Sequence, residues 1–236
     1  MPTIAERLRP ELTPMPARLR QLPIDHRGYP VPWFVQWMDA GGREADASTP
    51  GAAPEFRLMD AGKWVRAVRE GRCWVCGDIL GVYKTFVVGP MCGINRTTTE
   101  PASHLDCAEW SAVNCPFLAR PRMVRRDNDG LHAQACVIGG VGLERNPGVA
   151  LLWTTKRFHV WRDEARKPLI RIGDPTAVCW YAEGRPATRA EVEASVAGGL
   201  PFLRDLAEQQ DRAEPGAGAV AELESRARDF RALYPA

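Results

Sequence analysis

Cys73-Trp74-Val75-Cys76-Gly77 and, beginning 28 positions after Cys76, His104-Leu105-Asp106-Cys107 are the two short stretches on which the organisation of this 236-residue chain turns. Three thiols and one imidazole, arranged as two pairs with two residues inside each pair, match the donor preference and spacing of tetrahedral Zn²⁺. Gly77 permits the backbone to turn around an ion. Ser103 to Cys107 reads as a helix start, where a three-residue offset places His104 and Cys107 on one face. Between the pairs, residues 81–88 (GVYKTFVV) have the composition of a strand or hairpin. Four protein ligands close the coordination sphere, so such an ion would hold the fold together and would not activate water. Cys92, in Gly89-Pro90-Met91-Cys92-Gly93, is an alternative fourth ligand in place of His104; only with His104 free and Cys92 displaced as well is there an open position for a metal-bound water. Without a metal the same residues would be buried thiols beside a core histidine, since cysteine is commonly buried in its own right. Cys115, Cys136 and Cys179 lack partner spacing and read as packing residues.

Working outward, 45% hydrophobic residues rule out wholesale disorder, and the length admits one domain with appendages or two small ones. No run approaches about 18 apolar residues, so no membrane span is expected. The start of the chain lacks the apolar centre of an export signal, which predicts a cytoplasmic location. Seven cysteines in a reducing compartment then favour metal ligation or free thiols over disulfides. A net charge of +2 is too small for wholesale wrapping of nucleic acid, although it permits a local basic patch.

The pattern predicts an α+β fold, with a small antiparallel sheet, the metal module at 70–118 and C-terminal helices. Residues 1–30 read as an extended arm bearing Arg7, Arg9, Arg18, Arg20 and Arg27, residues 31–200 as the core, and 201–236 as a helical segment. Residues 31–37 suit a strand, residues 40–54 a flexible loop and residues 55–59 a short strand. Asp60 and Gly71 bracket a helix whose apolar face would hold Trp64, Val65 and Val68. Residues 149–154 and 157–161 are expected to pair with each other around a turn, with a further strand at 168–172. Asp174-Pro175 predicts a short helix through Tyr181. Thr188 and Glu191 form a capping box for a helix stopped by Gly198 and Gly199. Two more helices are expected, from 201 to 210 and from 220 to 233.

Three functional classes remain open at this level, and enzymatic activity is undecided. The densest basic segment supplies Arg120, Arg122, Arg125 and Arg126 for phosphate contact, with Arg157, Arg162, Arg166 and Arg171 adding charge later; nucleic acid is the favoured partner. Because 27 of the 31 basic residues are arginine, general residue usage explains part of this density. In the 89–104 loop, Asn95 and Arg96 suit an anionic substrate and Glu100 a general base, against the alternative of a connection that caps the next helix. The aromatic segment with Trp33, Phe34 and Trp37 suits a protein partner. His26, His132 and His159 have no nucleophile motif around them.

The order knuckle, hairpin and ligand-bearing helix resembles the treble-clef zinc fingers over residues 70–118. That resemblance implies a structural Zn²⁺ and a binding or supporting role. The acid–histidine or histidine pair of treble-clef nucleases is missing from residues 77–103. The chain is also similar to a group of uncharacterised bacterial and prophage-type proteins, through Asp25 to Phe34 (DHRGYPVPWF), CWVCG, HLDCA, CPFL and residues 183–192. No activity is attached to that group.

Overall fold

The computed structural model describes residues 12, 14–120, 147–163 and 165–236. In chain order the elements are β1 (Val35–Met38), β2 (Glu44–Ala45), β3 (Ala53–Met59), α1 (Ala61–Glu70), β4 (Lys84–Val88), α2 (Pro90–Asn95), β5 (Thr97–Thr98), α3 (Leu105–Asn114) and α4 (Pro116–Ala119). They continue with β6 (Ala150–Thr155), β7 (Phe158–Arg162), β8 (Pro168–Ile172), β9 (Ala177–Ala182), β10 (Arg185–Pro186), α5 (Arg189–Ala213) and α6 (Ala219–Phe230). The fold is α+β. Among the described residues the strands form three small antiparallel sheets, ordered β2-β1-β3, β10-β9-β6-β4 and β5-β8-β7.

Strand β6 is the spine of the molecule. All six of its residues, Ala150–Thr155, are buried, so both faces are covered and its sequence runs apolar without alternation from Ala150 to Trp153. Side-chain direction still alternates. Leu151 and Trp153 point with Phe86, Val88 and Trp180 into a core shared with Met91, Ile94 and Phe230, whereas Leu152 meets Ala108 and Ala112 of α3. The sheet therefore separates the C-terminal helices from the helix that carries half of the cysteine–histidine group. Small residues make the contacts close: a Cβ on Gly93 would come within 2.7 Å of the Phe230 ring, and one on Gly199 within 2.8 Å of the Met91 sulfur.

Local signals act as expected at α1 and at the start of α5. The Asp60 side chain accepts from the Lys63 amide, and Gly71 ends α1 in the left-handed region at φ 66°. Within α1, Trp64 and Ala67 are buried while Val65 is turned to solvent, which corrects its expected place on the apolar face. The Thr188–Glu191 box is complete.

Other local expectations yield to tertiary packing. Helix α5 does not stop at Gly198 and Gly199 but runs through both glycines and Pro201 to Ala213, because Gly199 is where Met91 requires a helix without a side chain. Residues 177–182 are strand β9 instead of a helix, since Val178, Trp180 and Ala182 supply an alternating apolar face and pair along β6. Strands β6 and β7 do not pair with each other; β6 lies between β4 and β9, and β7 pairs with β8 in a separate sheet. The expected 40–54 loop contains β2 and the start of β3.

Candidate metal centre

The first ligand pair sits in a tight knuckle immediately after α1. Arg72 bridges Ile79, the Cys73 amide donates to the Asp78 carbonyl at 2.7 Å, and the Gly77 amide donates to the Cys73 carbonyl at 2.9 Å. Gly77 turns at φ 82°, and a Cβ there would lie 2.8 Å from the Trp33 indole. Left-handed geometry and the close aromatic ring both require glycine at this position. The second pair lies at the start of α3, where His104 is the N-cap and Cys107 occupies the first turn. Strand β4 connects the two pairs structurally, since Thr85 bridges Ser103 just before His104.

These elements bring Cys73, Cys76, His104 and Cys107 together with all ligand atoms within 4.8 Å of one another, a cluster that can hold a metal ion. Cys73 and Cys107 are fully buried, Cys76 is nearly so, and His104 is partly open to solvent. The imidazole is oriented: Nε2 donates to the Ile79 carbonyl at 3.1 Å, leaving Nδ1, 3.5 Å from the Cys76 sulfur, facing the cluster. Metal-binding histidines commonly use their second nitrogen in this way. The amides of Cys76 and His104 each donate to the Cys73 sulfur at 3.4 Å.

The thiols' proton affinities follow from this proximity. Cys73 accepts from Cys107 first, then Cys76, and is held far below the usual thiol range. Cys107 is pushed up by its hydrogen bonds to Cys73 and Cys76. Cys76 is lowered by Cys107 but raised more strongly in total by Cys73, burial and the charge on Cys73, reaching about 12. Three sulfurs and an imidazole in mutual reach form a compact site whose protons a soft or borderline cation can displace. Nothing in the donor set conflicts with such an ion.

An apolar cover surrounds the cluster. Met15, Leu19, Leu22, Val75 and Trp110 pack around the three cysteines, with Leu19 fully buried. Residues 15–22 of the expected arm therefore form part of the site. Arg18 pairs with Asp106 at 3.0 Å, and Gln21 donates to Asp78 at 3.4 Å. This cover was not read from the sequence; the only available signal was the leucine spacing in residues 12–22.

Cys92 lies elsewhere, on α2 against the main core, and burial pushes its thiol up to about 11. Arg96, in the left-handed region at φ 57°, donates to Asp174 at 2.7 Å and lies 4.9 Å over the Trp153 ring. Asn95 ends α2 and its carbonyl accepts from Thr97, while the Glu100 amide donates to Thr98. The aromatic segment is also used internally: Trp33 covers Gly77, and Phe34 stacks on Trp74 at 4.9 Å.

Of the favoured basic segment, Arg120 is exposed at the end of α4, whereas Arg122, Arg125 and Arg126 lie outside the described residues, as do His132 and Cys136. Cys115 is partly buried, and Cys179, expected as a packing residue, is exposed on β9. No helix among the described residues is long and apolar enough to cross a membrane. Compared with protein-family models, curated proteins and solved structures, the chain matches none of them.

Proposed function

We propose that this chain is a zinc-stabilised binding protein whose partner is nucleic acid. The carrying observation is the closed donor set: four protein ligands converge, His104 is oriented by the Ile79 carbonyl, and apolar side chains cover the sulfurs. Three thiols and one imidazole favour Zn²⁺ over harder cations, and a filled tetrahedron leaves no position for substrate or water. The ion's contribution is to join the knuckle, β4 and α3. A knuckle followed by a strand and then a ligand-bearing helix supports the treble-clef reading, with the Thr85–Ser103 bridge standing where a longer hairpin would be.

The basic residues support the choice of partner. Arg120, Arg122, Arg125 and Arg126 concentrate positive charge directly after α3 and α4, and Arg is the side chain best suited to bidentate phosphate contact. Metal analysis by plasma mass spectrometry of the untagged protein should give about one zinc per chain, as a closed four-ligand site requires. Binding to nucleic acid should weaken as salt rises, and the pair Arg122→Glu and Arg125→Glu should reduce both affinity and salt slope. Zinc-loaded protein with no salt-dependent binding would refute the partner assignment; metal-free folded protein would refute the zinc assignment.

A further inference from the structure

The β7–β8 hairpin is rich in cations. Residues 156–172 contain Lys156, Arg157, Arg162, Arg166, Lys167 and Arg171 against two acids, Asp163 and Glu164, in a chain whose net charge is only +2. Elsewhere arginines are commonly matched to carboxylates, as in Arg18–Asp106, Arg57–Glu55, Arg96–Asp174, Arg185–Glu191 and Arg204–Glu224. No such pair forms at Arg157, Arg162, Arg166 or Arg171 among the described residues.

Strand register sorts these residues by face. Phe158 packs edge-on against Phe86, and Ile170 and Ile172 are buried, so that face belongs to the core. On the other face His159 lies opposite Arg171, which in turn lies opposite Thr97 of β5. Within β7, Trp161 shares the parity of His159 and therefore its face, opposite the buried Leu169 of β8, while Arg157 immediately precedes the strand. Arg157, His159 and Arg171 are exposed, and Trp161 retains 41% of its surface. Gly173 secures the start of the strand by donating to the Arg157 carbonyl, which approaches to 2.5 Å of the position a Cβ would take. The edge strand thus presents His159 and Trp161 in succession, with Arg171 beside His159 on the neighbouring strand that holds it.

Resting on the nucleic-acid reading above, we infer that the outer face of β7–β8 binds single-stranded nucleic acid, with Arg157 and Arg171 at phosphates and Trp161 and His159 stacking on bases. Charge complementarity selects a polyanion. The exposed rings select one with unpaired bases, because duplex bases hide their faces while single strands stack readily on aromatic side chains.

The test uses the untagged, zinc-loaded full chain titrated into fluorescein-labelled oligo(U), oligo(dT) and mixed-sequence duplex DNA, each about 12 units long. Both single strands should bind more tightly than the duplex, and their ratio reports whether ribose matters. Trp161→Ala should weaken oligo(U) binding by about tenfold with little change in salt slope, and Arg171→Gln should lower that slope by about 0.7. Zinc content and thermal melting establish that the variants are folded; should Trp161→Ala fail, Trp161→Leu keeps bulk but lacks the ring face. Equal duplex affinity, or wild-type affinity and slope in both hairpin variants, overturns the inference. If Arg122→Glu with Arg125→Glu then abolishes binding, the broader nucleic-acid reading survives. No binding to any strand overturns both, and polyglutamate competing as well as oligo(U) replaces the nucleic acid with an acidic peptide.

Discussion

Around the cysteine–histidine cluster polar groups are turned inward on one another: Arg18 meets Asp106, Gln21 meets Asp78, Arg72 donates to the Gly77 carbonyl and His104 to that of Ile79. Along the β7–β8 hairpin the same residue types are left facing water, with Arg171 and His159 side by side and exposed. The difference teaches how one chain separates holding from presenting. Matched groups fix geometry and contribute little field beyond the protein, whereas unmatched cations on a rigid strand keep their field for something outside. The first region should therefore answer to substitution in stability, the second in binding.

The harshest way to break that division is Cys73→Ser or Cys107→Ser. Each should abolish metal binding and the cooperative fold, because structural Zn²⁺ supplies about 10–16 kcal/mol, comparable to the roughly 5–15 kcal/mol that separates native from unfolded protein. Metal content and circular dichroism check this; a folded, metal-loaded variant would remove the cluster from its supporting role. Next comes Trp153→Ala, expected to cost about 3–5 kcal/mol in urea unfolding because the ring is fully buried on the central strand.

A smaller effect is expected at the α5 cap, where Thr188→Ala should cost about 1 kcal/mol. The cap also predicts a pH dependence. Glu191 is lowered from 4.5 to about 2 by its hydrogen bond from Arg185, followed by those from Thr188. A depressed folded value means that its contribution is complete above the unfolded value of 4.5 and is lost as pH falls toward 2. The stability difference between wild type and Glu191→Gln, followed by denaturation across that window, should shrink on acidification. Least of all, Arg157→Gln and Arg171→Gln should change stability by less than about 0.5 kcal/mol. A loss as large as that of Thr188→Ala would show that these cations serve the fold, collapsing the contrast between the regions.

The four-residue cluster was legible because coordination chemistry leaves a short-range imprint: two residues between ligands, glycine after the knuckle and a helix start under the second pair. The caps at Asp60 and Thr188 were legible for the same reason, since each depends on atoms within three residues. What sequence reading missed was settled at long range. Gly199 signals a helix stop only until Met91 is placed beside it, and Asp174-Pro175 signals a helix only until β6 offers Val178 and Trp180 a partner. Arg171 was visible as charge, but its common face with His159 and Trp161 required the β7–β8 register. For Leu19 and Leu22 the leucine spacing hints at a buried face, but nothing near them in sequence says that this face covers the cysteines.

Trp33, seated against Gly77, gives the protein an intrinsic optical gauge. The indole touches the glycine on which the metal-side turn depends, so stripping the ion with a chelator should open that turn as the fold is lost and wet the ring. Its fluorescence should shift to longer wavelength, and adding zinc back should reverse the change. Occupancy, refolding and metal exchange could all be followed on unlabelled protein, with Trp33→Phe separating this signal from that of the other seven tryptophans.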